Sequence, residues 1–217
     1  MSGPRGEAQA IIDACLALNA SGLNQGTSGN VSVRRGDGML ITPSGVPYER
    51  MAPEMLVDVA PDGGFAGQLR PSSEWRMHLD IYAARPEAGA VVHVHSPHAA
   101  ALSCHGRGIP AFHYMVAAAG GPDIRCADYA TFGTAALSGA MMAALDGRRA
   151  CLLAHHGQIA FGPTLEKALW LAGEVEALAR QYLLALAIGE PPVLDPAEME
   201  RVLDLFATYG QQPAADA

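Results

Sequence analysis

Lysine is almost missing from this chain. Of 14 basic residues only Lys167 is a lysine, against 22 acidic ones, and the formal net charge is −8. A balance of that sign offers no basic stripe to a phosphodiester backbone, which excludes nucleic acid as a partner. Charge is scarce altogether, 17% of residues against 50% hydrophobic, the composition of a folded chain and not of a disordered one. No window is apolar enough to span a bilayer, so no membrane partner is expected. Met1-Ser2-Gly3-Pro4-Arg5-Gly6-Glu7 lacks the apolar segment of a secretory signal, and cytoplasmic residence is the expectation. The four cysteines (Cys15, Cys104, Cys126, Cys151) have no CxxC spacing, which argues against a disulfide framework and predicts free, buried thiols. A glycine-rich βαβ phosphate fingerprint, internal repeats, low-complexity blocks and linkers are absent as well.

What is present fits one domain over residues 1–217, with residues 211–217 read as a flexible tail. Apolar periodicity predicts a helix from Glu7 to about Asn19. Short strands follow at Val31–Arg34 and Met39–Thr42, joined by a turn at Arg35-Gly36-Asp37-Gly38, with another at Met55–Val59. Ser72 or Ser73 is placed to cap a helix ending before Pro86. Ala90–His95 reads as a strand, with Pro97 in the first turn of the next helix. Ile109–Met115 and Ala150–His155 read as strands, and Thr134–Leu145 and Thr164–Ile188 as helices. Asp195-Pro196-Ala197-Glu198 opens a last helix with capping-box spacing. Together these predict an α/β fold, an α/β/α sandwich around a central, largely antiparallel sheet.

The residues that carry chemistry are histidines. In Val91-Val92-His93-Val94-His95 two imidazoles share one face of a strand, roughly 7 Å apart at Cα. Two rings on an apolar strand would cost about 1–3 kcal/mol each if buried without partners. A shared metal removes that cost, and zinc suits imidazole plus carboxylate ligation, with other divalent ions open. His155-His156 ends another apolar run; on a strand the two would point to opposite faces, so one of them can join, and the spacing does not say which. Glu74, directly after Ser72-Ser73, is the candidate carboxylate. Three hydroxyl- and glycine-rich loops, at Gly26–Asn30, Thr42–Gly45 and Pro71–Ser73, suggest phosphate capture by oriented donors.

Several stretches carry a family resemblance. They are Thr27-Ser28-Gly29-Asn30-Val31-Ser32, Pro71-Ser72-Ser73-Glu74-Trp75-Arg76, Val91–His95, Ile109-Pro110-Ala111-Phe112-His113-Tyr114, Ala118-Ala119-Gly120-Gly121, Tyr129-Ala130-Thr131-Phe132-Gly133-Thr134 and His155-His156-Gly157. In these the chain resembles the class II aldolase/adducin-head family over nearly its whole length. The resemblance implies a zinc ion held by His93, His95, His156 and Glu74. Glu74 then doubles as catalytic base, and Tyr114 from a neighbouring subunit protonates the aldehyde oxygen. Thr27, Gly29, Asn30, Ser44, Gly45, Ser72 and Ser73 match phosphate-binding positions, and Phe132 and Tyr209 border the aldehyde end. The implied assembly is a homotetramer with sites between subunits. The implied reaction is reversible cleavage of a ketose 1-phosphate, of the L-fuculose 1-phosphate type, to glycerone phosphate (DHAP) and an aldehyde such as lactaldehyde, by metal Lewis acidity and not a lysine Schiff base. Lys167 falls in the long helix and reads as a surface residue. The alternatives within the resemblance are a 5-(methylthio)ribulose or 5-deoxyribulose 1-phosphate aldolase of a salvage pathway, a pentulose-phosphate 4-epimerase, and a non-enzymatic adducin-like scaffold. Two departures bear on the sugar. Ser44-Gly45 stands where a threonine–glycine pair is common, and the segment after Gly210 is apolar and acidic.

Overall fold

The computed structural model describes residues 4–66 and 68–208. Six helices, α1 (Pro4–Ala20), α2 (Trp75–Ala84), α3 (Pro97–Ser103), α4 (Ala135–Ala144), α5 (Leu165–Leu186) and α6 (Pro196–Thr208), surround eight strands. The strands are β1 (Asn30–Arg35), β2 (Gly38–Ile41), β3 (Val57–Val59), β4 (Phe65–Ala66), β5 (Ala90–Val94), β6 (Cys126–Ala127), β7 (Ala150–Leu153) and β8 (Gly157–Gly162). They form one sheet in the order β4-β3-β2-β1-β5-β8-β7-β6. Every neighbouring pair is antiparallel except β6–β7.

Strand alternation sends apolar side chains to both faces of this sheet. Val31, Leu40, Val92, Val94, Leu152 and Ala160 meet Ile11, Leu18, Leu102, Val175, Tyr182 and Met199 from α1, α3, α5 and α6. Met39, Ile41, Val91, Leu153, Ile159 and Phe161 meet Met77, Ile81, Leu137 and Met141 from α2 and α4. Each fully buried residue of this kind contributes roughly 1.5–3 kcal/mol, so both helical layers are fastened by the sheet between them. The expected α/β/α sandwich with its largely antiparallel sheet is the fold observed.

Local chemistry explains most element ends. Gly36, at φ 57, turns β1 into β2. Asp195 Oδ1 accepts the Glu198 amide at 2.8 Å and starts α6, as the capping-box spacing predicts. Thr134 and Thr164 cap α4 and α5 through their hydroxyls.

Some expectations are corrected. Ile109–Met115 is not a strand: Ile109 makes a single bridge to Ile124, and Pro110 has no N–H to extend the ladder. The alanine-rich run beyond it coils into a 3₁₀ helix at Tyr114–Ala119, closed by Gly120 in the left-handed region. Met55 ends a 3₁₀ turn, and the strand starts at Val57. α2 is capped by neither serine; Glu74 occupies the cap position without a side-chain cap bond, while the Ser72 hydroxyl accepts the Glu74 amide at 3.3 Å. β7 stops at Leu153, and the unforeseen β8 returns immediately after His156. All four cysteines are free, but only Cys15 and Cys151 are buried; Cys104 is exposed. Tyr209 and the expected tail at 211–217 lie outside the described residues.

Candidate metal centre and its cavity

β5 lies at the middle of the sheet between β1 and β8, and this placement delivers the first two histidines. His93 is fully buried, and its Nδ1–H donates to the Gln158 carbonyl at 2.8 Å. That bond turns the Nε2 lone pair into the site, as in metal-ligating imidazoles whose other nitrogen is held. His95 continues past the end of β5, its amide donating to Asn24 Oδ1 at 3.4 Å.

The third imidazole depends on a tight turn. His155 takes φ 55, an uncommon left-handed conformation for a residue other than glycine. Its amide donates to the Ser103 carbonyl at 3.0 Å, and the His156 amide to the Ser103 hydroxyl at 3.3 Å, so the end of α3 clamps the turn. The turn aims the His156 ring at His93 and His95, with ring centroids 4.7 and 4.6 Å away. The geometry therefore brings in His156, the histidine that the resemblance implies and that spacing alone did not choose. Strand alternation did not apply, because His155 and His156 both lie in the turn.

Glu74 completes the group. It is 5% exposed, and its Oε2 lies 3.1 Å from His93 Nε2 and 3.0 Å from the Asn30 amide that donates to it. Oε1 lies 3.3 Å from His156 Nε2 and has no hydrogen-bond partner of its own. The Nε2 atoms of His93 and His95 are 3.1 Å apart, and one donor atom from each of the four residues lies within 4.8 Å of all the others. Donors about 2.0–2.1 Å from a tetrahedral ion stand roughly 3.3 Å from one another, so this set fits a small divalent metal.

The electrostatics agree. Burial alone would raise the Glu74 pKa, but His93, His156 and the Asn30 amide reverse this and hold it well below the ordinary carboxylate range. Burial, then the charge on His93, pushes His95 and His156 down to about 4, so these rings are neutral lone-pair donors at physiological pH. Burial opposes charge on His93 too, yet facing Glu74 raises its pKa.

Above this floor opens a cavity of about 420 Å³ lined by Thr27, Ser28, Ser44, Gly45, Ser73, Glu74, His95, Tyr129, Ala130, Phe132, His155 and His156. Two hydroxyl loops are tied together at its rim. Pro43 bridges Pro71, the Ser72 amide donates to the Thr42 carbonyl at 3.0 Å, and the Ser44 amide donates to the Arg70 carbonyl at 3.0 Å. Gly45, at φ 70, makes the turn next to Ser44, which lines the cavity as Ser73 does. Gly29 has another role. A Cβ there would stand 2.7 Å from the His93 carbonyl oxygen, so only glycine lets the first loop lie against β5.

Comparison with known proteins agrees with this geometry. A family profile described as class II aldolase and adducin N-terminal domain matches residues 9–183. The chain belongs to that family. A 5-methylthioribulose-1-phosphate/5-deoxyribulose-1-phosphate aldolase of Rhodospirillum rubrum is 58% identical over 200 residues, 92% of this chain and 90% of that protein. An L-fuculose phosphate aldolase of Escherichia coli strain K12 is 55% identical over 204 residues, 94% and 95% of the two chains. A solved L-fuculose 1-phosphate aldolase superposes with a TM-score of 0.90 at 39% identity, covering 95% of this chain and 98% of that one.

Within this class II aldolase fold the expected residues divide into groups. Glu74, His93, His95 and His156 converge, and Thr27, Ser44, Gly45, Ser73 and Phe132 line the cavity. Gly29, Asn30 and Ser72 lie behind its wall as supports. Tyr114 is outside the cavity, 51% exposed and stacked on His113 with centroids 4.8 Å apart. Ser28 and Tyr129 line the cavity without having been singled out as site residues, although both sit in the family-like stretches, and His155, the other ligand candidate, lines it as well. His78, buried behind Asn30, was missed. Its signal was the four-residue spacing from Glu74, which puts both on one face of a helix.

Proposed function

We propose that this chain is a metal-dependent aldehyde-lyase that reversibly cleaves a ketose 1-phosphate, of the L-fuculose 1-phosphate type, into glycerone phosphate and an aldehyde such as lactaldehyde. The observation that carries the reading is the convergence of three imidazoles and Glu74 on the floor of a cavity whose rim is built of hydroxyl-bearing turns. His93, His95 and His156, with Glu74, are the residues that hold the cation, and zinc is the ion this donor set suits. When bound, it supplies a Lewis acid to the substrate oxygens beside the bond that breaks.

The protein's own groups do the rest. Thr27, Ser44 and Ser73, supported by Gly29, Asn30, Gly45 and Ser72, orient the phosphate through hydroxyls and turn amides. Glu74 is the base that takes the carbon-bound proton of glycerone phosphate in the condensing direction. Its Oε1, 3.3 Å from His156 Nε2 and without a hydrogen-bond partner, is the oxygen free to do so. Phe132 borders the aldehyde end. Tyr114, turned outward, serves a neighbouring subunit's cavity as proton donor to the aldehyde oxygen, in a cytoplasmic homotetramer.

A second reading differs only in the aldehyde half. Tyr129 and Phe132 make one wall of the cavity aromatic and exposed, a surface suited to a 5-methylthio or 5-deoxy substituent. The relative acting on those pentulose phosphates is slightly more similar than the fuculose one. Measuring kcat/KM on L-fuculose 1-phosphate, 5-methylthioribulose 1-phosphate and 5-deoxyribulose 1-phosphate decides between them. The first reading expects the highest value for the fuculose ester and at least a 100-fold loss in Glu74→Gln. A preference for either pentulose transfers the assignment, and no cleavage of any of the three overturns the aldolase.

A further inference from the structure

Behind Glu74 and Asn30 runs a line of buried polar groups, His78, Ser32 and Tyr82, that the reaction as described leaves unused. Glu74, His78 and Tyr82 follow one another at four-residue intervals across the start and length of α2; Asn30 and Ser32 alternate on β1. Four helical residues rise about 6 Å and two strand residues about 6.6 Å, so the two ladders stay in step where helix and strand lie side by side. Contacts alternate between them. Asn30 Nδ2 donates to Glu74 Oε2 at 3.0 Å, His78 Nε2 lies 2.6 Å from Asn30 Oδ1, Ser32 Oγ 2.7 Å from His78 Nδ1, and Tyr82 Oη 2.8 Å from Ser32 Oγ. Ser32 and His78 are fully buried and Tyr82 nearly so.

The direction of every hydrogen in this line follows from its first member. An ionised carboxylate only accepts, so the Asn30 NH₂ faces Glu74 and its carbonyl oxygen faces His78. His78 must then carry its hydrogen on Nε2. Its Nδ1 is left as an acceptor for the Ser32 hydroxyl, whose oxygen accepts in turn from Tyr82. No member can reverse alone without setting two acceptors or two donors against each other. A flipped Asn30 would put its carbonyl oxygen about 3 Å from a carboxylate oxygen and repel it.

We propose that His78, backed by Ser32 and Tyr82, is a positioning residue that locks the Asn30 amide onto Glu74 Oε2 and so leaves Oε1 as the oxygen aimed at substrate. The proposal deepens the aldolase reading and rests on it. The His78 ring is hydrogen-bonded to Asn30 and Ser32 and does not line the cavity; it acts through Asn30. A polar line serving only to fasten α2 to the sheet would need no defined direction at Glu74.

The test uses the metal-loaded full chain. Exchange of the glycerone phosphate carbon-bound proton with solvent deuterium, followed by NMR without aldehyde, isolates the step assigned to Glu74. His78→Phe is expected to slow exchange and kcat by 10–100-fold, the usual cost of losing a group that orients a metal-site residue, with KM changed less than about threefold. His78→Gln, whose amide can donate from nearly the same place, is expected to recover to within about fivefold of wild type. Wild-type exchange in folded His78→Phe overturns the lock, as does a failure of His78→Gln to exceed His78→Phe. Nitrogen-resolved NMR of the wild type gives an independent reading: a neutral His78 with its hydrogen on Nε2 supports the lock, and a hydrogen on Nδ1 overturns it even if His78→Phe does not fold. Absence of exchange in the wild type sinks the aldolase reading alone, and the His78 tautomer still decides the geometry.

Discussion

At the scale of single residues, the site is legible where chemistry coincides with a regular period. His93 and His95 were readable because a strand places alternate residues on one face, and they do converge, with Nε2 atoms 3.1 Å apart. His156 was not readable from spacing, because its direction depends on the left-handed His155 before it and the Ser103 clamp beneath it. His78 was hidden differently, since one histidine in an apolar helix looks like core until its strand partners are known. Its burial has a measurable consequence. Desolvation, reinforced by the charge of His93, pushes the His78 pKa down to about 3, while an unfolded histidine titrates near 6.5. Between those values the unfolded chain takes up a proton that the folded chain refuses. His78 therefore makes stability fall as pH falls through that window, by up to about 1.4 kcal/mol per pH unit. Urea unfolding of metal-free protein between pH 6 and 4 should show a slope steeper by about that amount in the wild type than in His78→Gln. Equal slopes would mean that His78 is already protonated in the folded protein.

At the scale of elements, what the sequence hid was pairing. The eight-stranded order was out of reach because β4 and β6 are two residues each, too short to carry a period, and β8 is bounded by glycine at both ends. Yet β8 is the strand that fixes the centre. It pairs with β5 in register His93↔Ile159 and Val94↔Gln158, and its Gln158 carbonyl sets the His93 ring. Gly157 opens it where the chain passes closest to His95. A Cβ on residue 157 would stand 2.5 Å from the Val94 carbonyl oxygen and 3.2 Å from both Cα and Cδ2 of His95. The first obstacle is backbone in mid-sheet and cannot swing aside. Gly157→Ala should therefore push β8 from β5 and tilt the His95 ring, lowering stability by about 1–3 kcal/mol through overpacking. A competitive zinc titration should show at least a tenfold weaker metal site, since ring orientation is part of the affinity. Unchanged zinc affinity would show that His95 is not held by this strand.

For the whole molecule, the two apolar layers were foreseeable from composition and periodicity, and they account for the sandwich without reference to any partner. They do not account for Tyr114. The 3₁₀ helix that begins with it turns Val116, Ala117, Ala118 and Ala119 into the core and leaves Tyr114 half exposed against His113, away from the cavity of its own chain. A residue meant for proton transfer has to reach a substrate, and in the assembly proposed above Tyr114 does so in a neighbouring subunit's cavity. Complementation between defective chains distinguishes this arrangement from a tyrosine with no catalytic part. Glu74→Gln and Tyr114→Phe are each expected to be nearly inactive alone. After unfolding together at equal ratio and reassembly, a site works when the chain supplying Glu74 is intact there and its neighbour supplies an intact Tyr114. Random mixing in a closed ring gives each condition a chance of one half, so about one quarter of wild-type activity should return. Light scattering on the same sample should report a tetramer. Recovery near zero in assembled hybrids would place both residues in one subunit's site, and a fully active Tyr114→Phe would remove the tyrosine from the reaction.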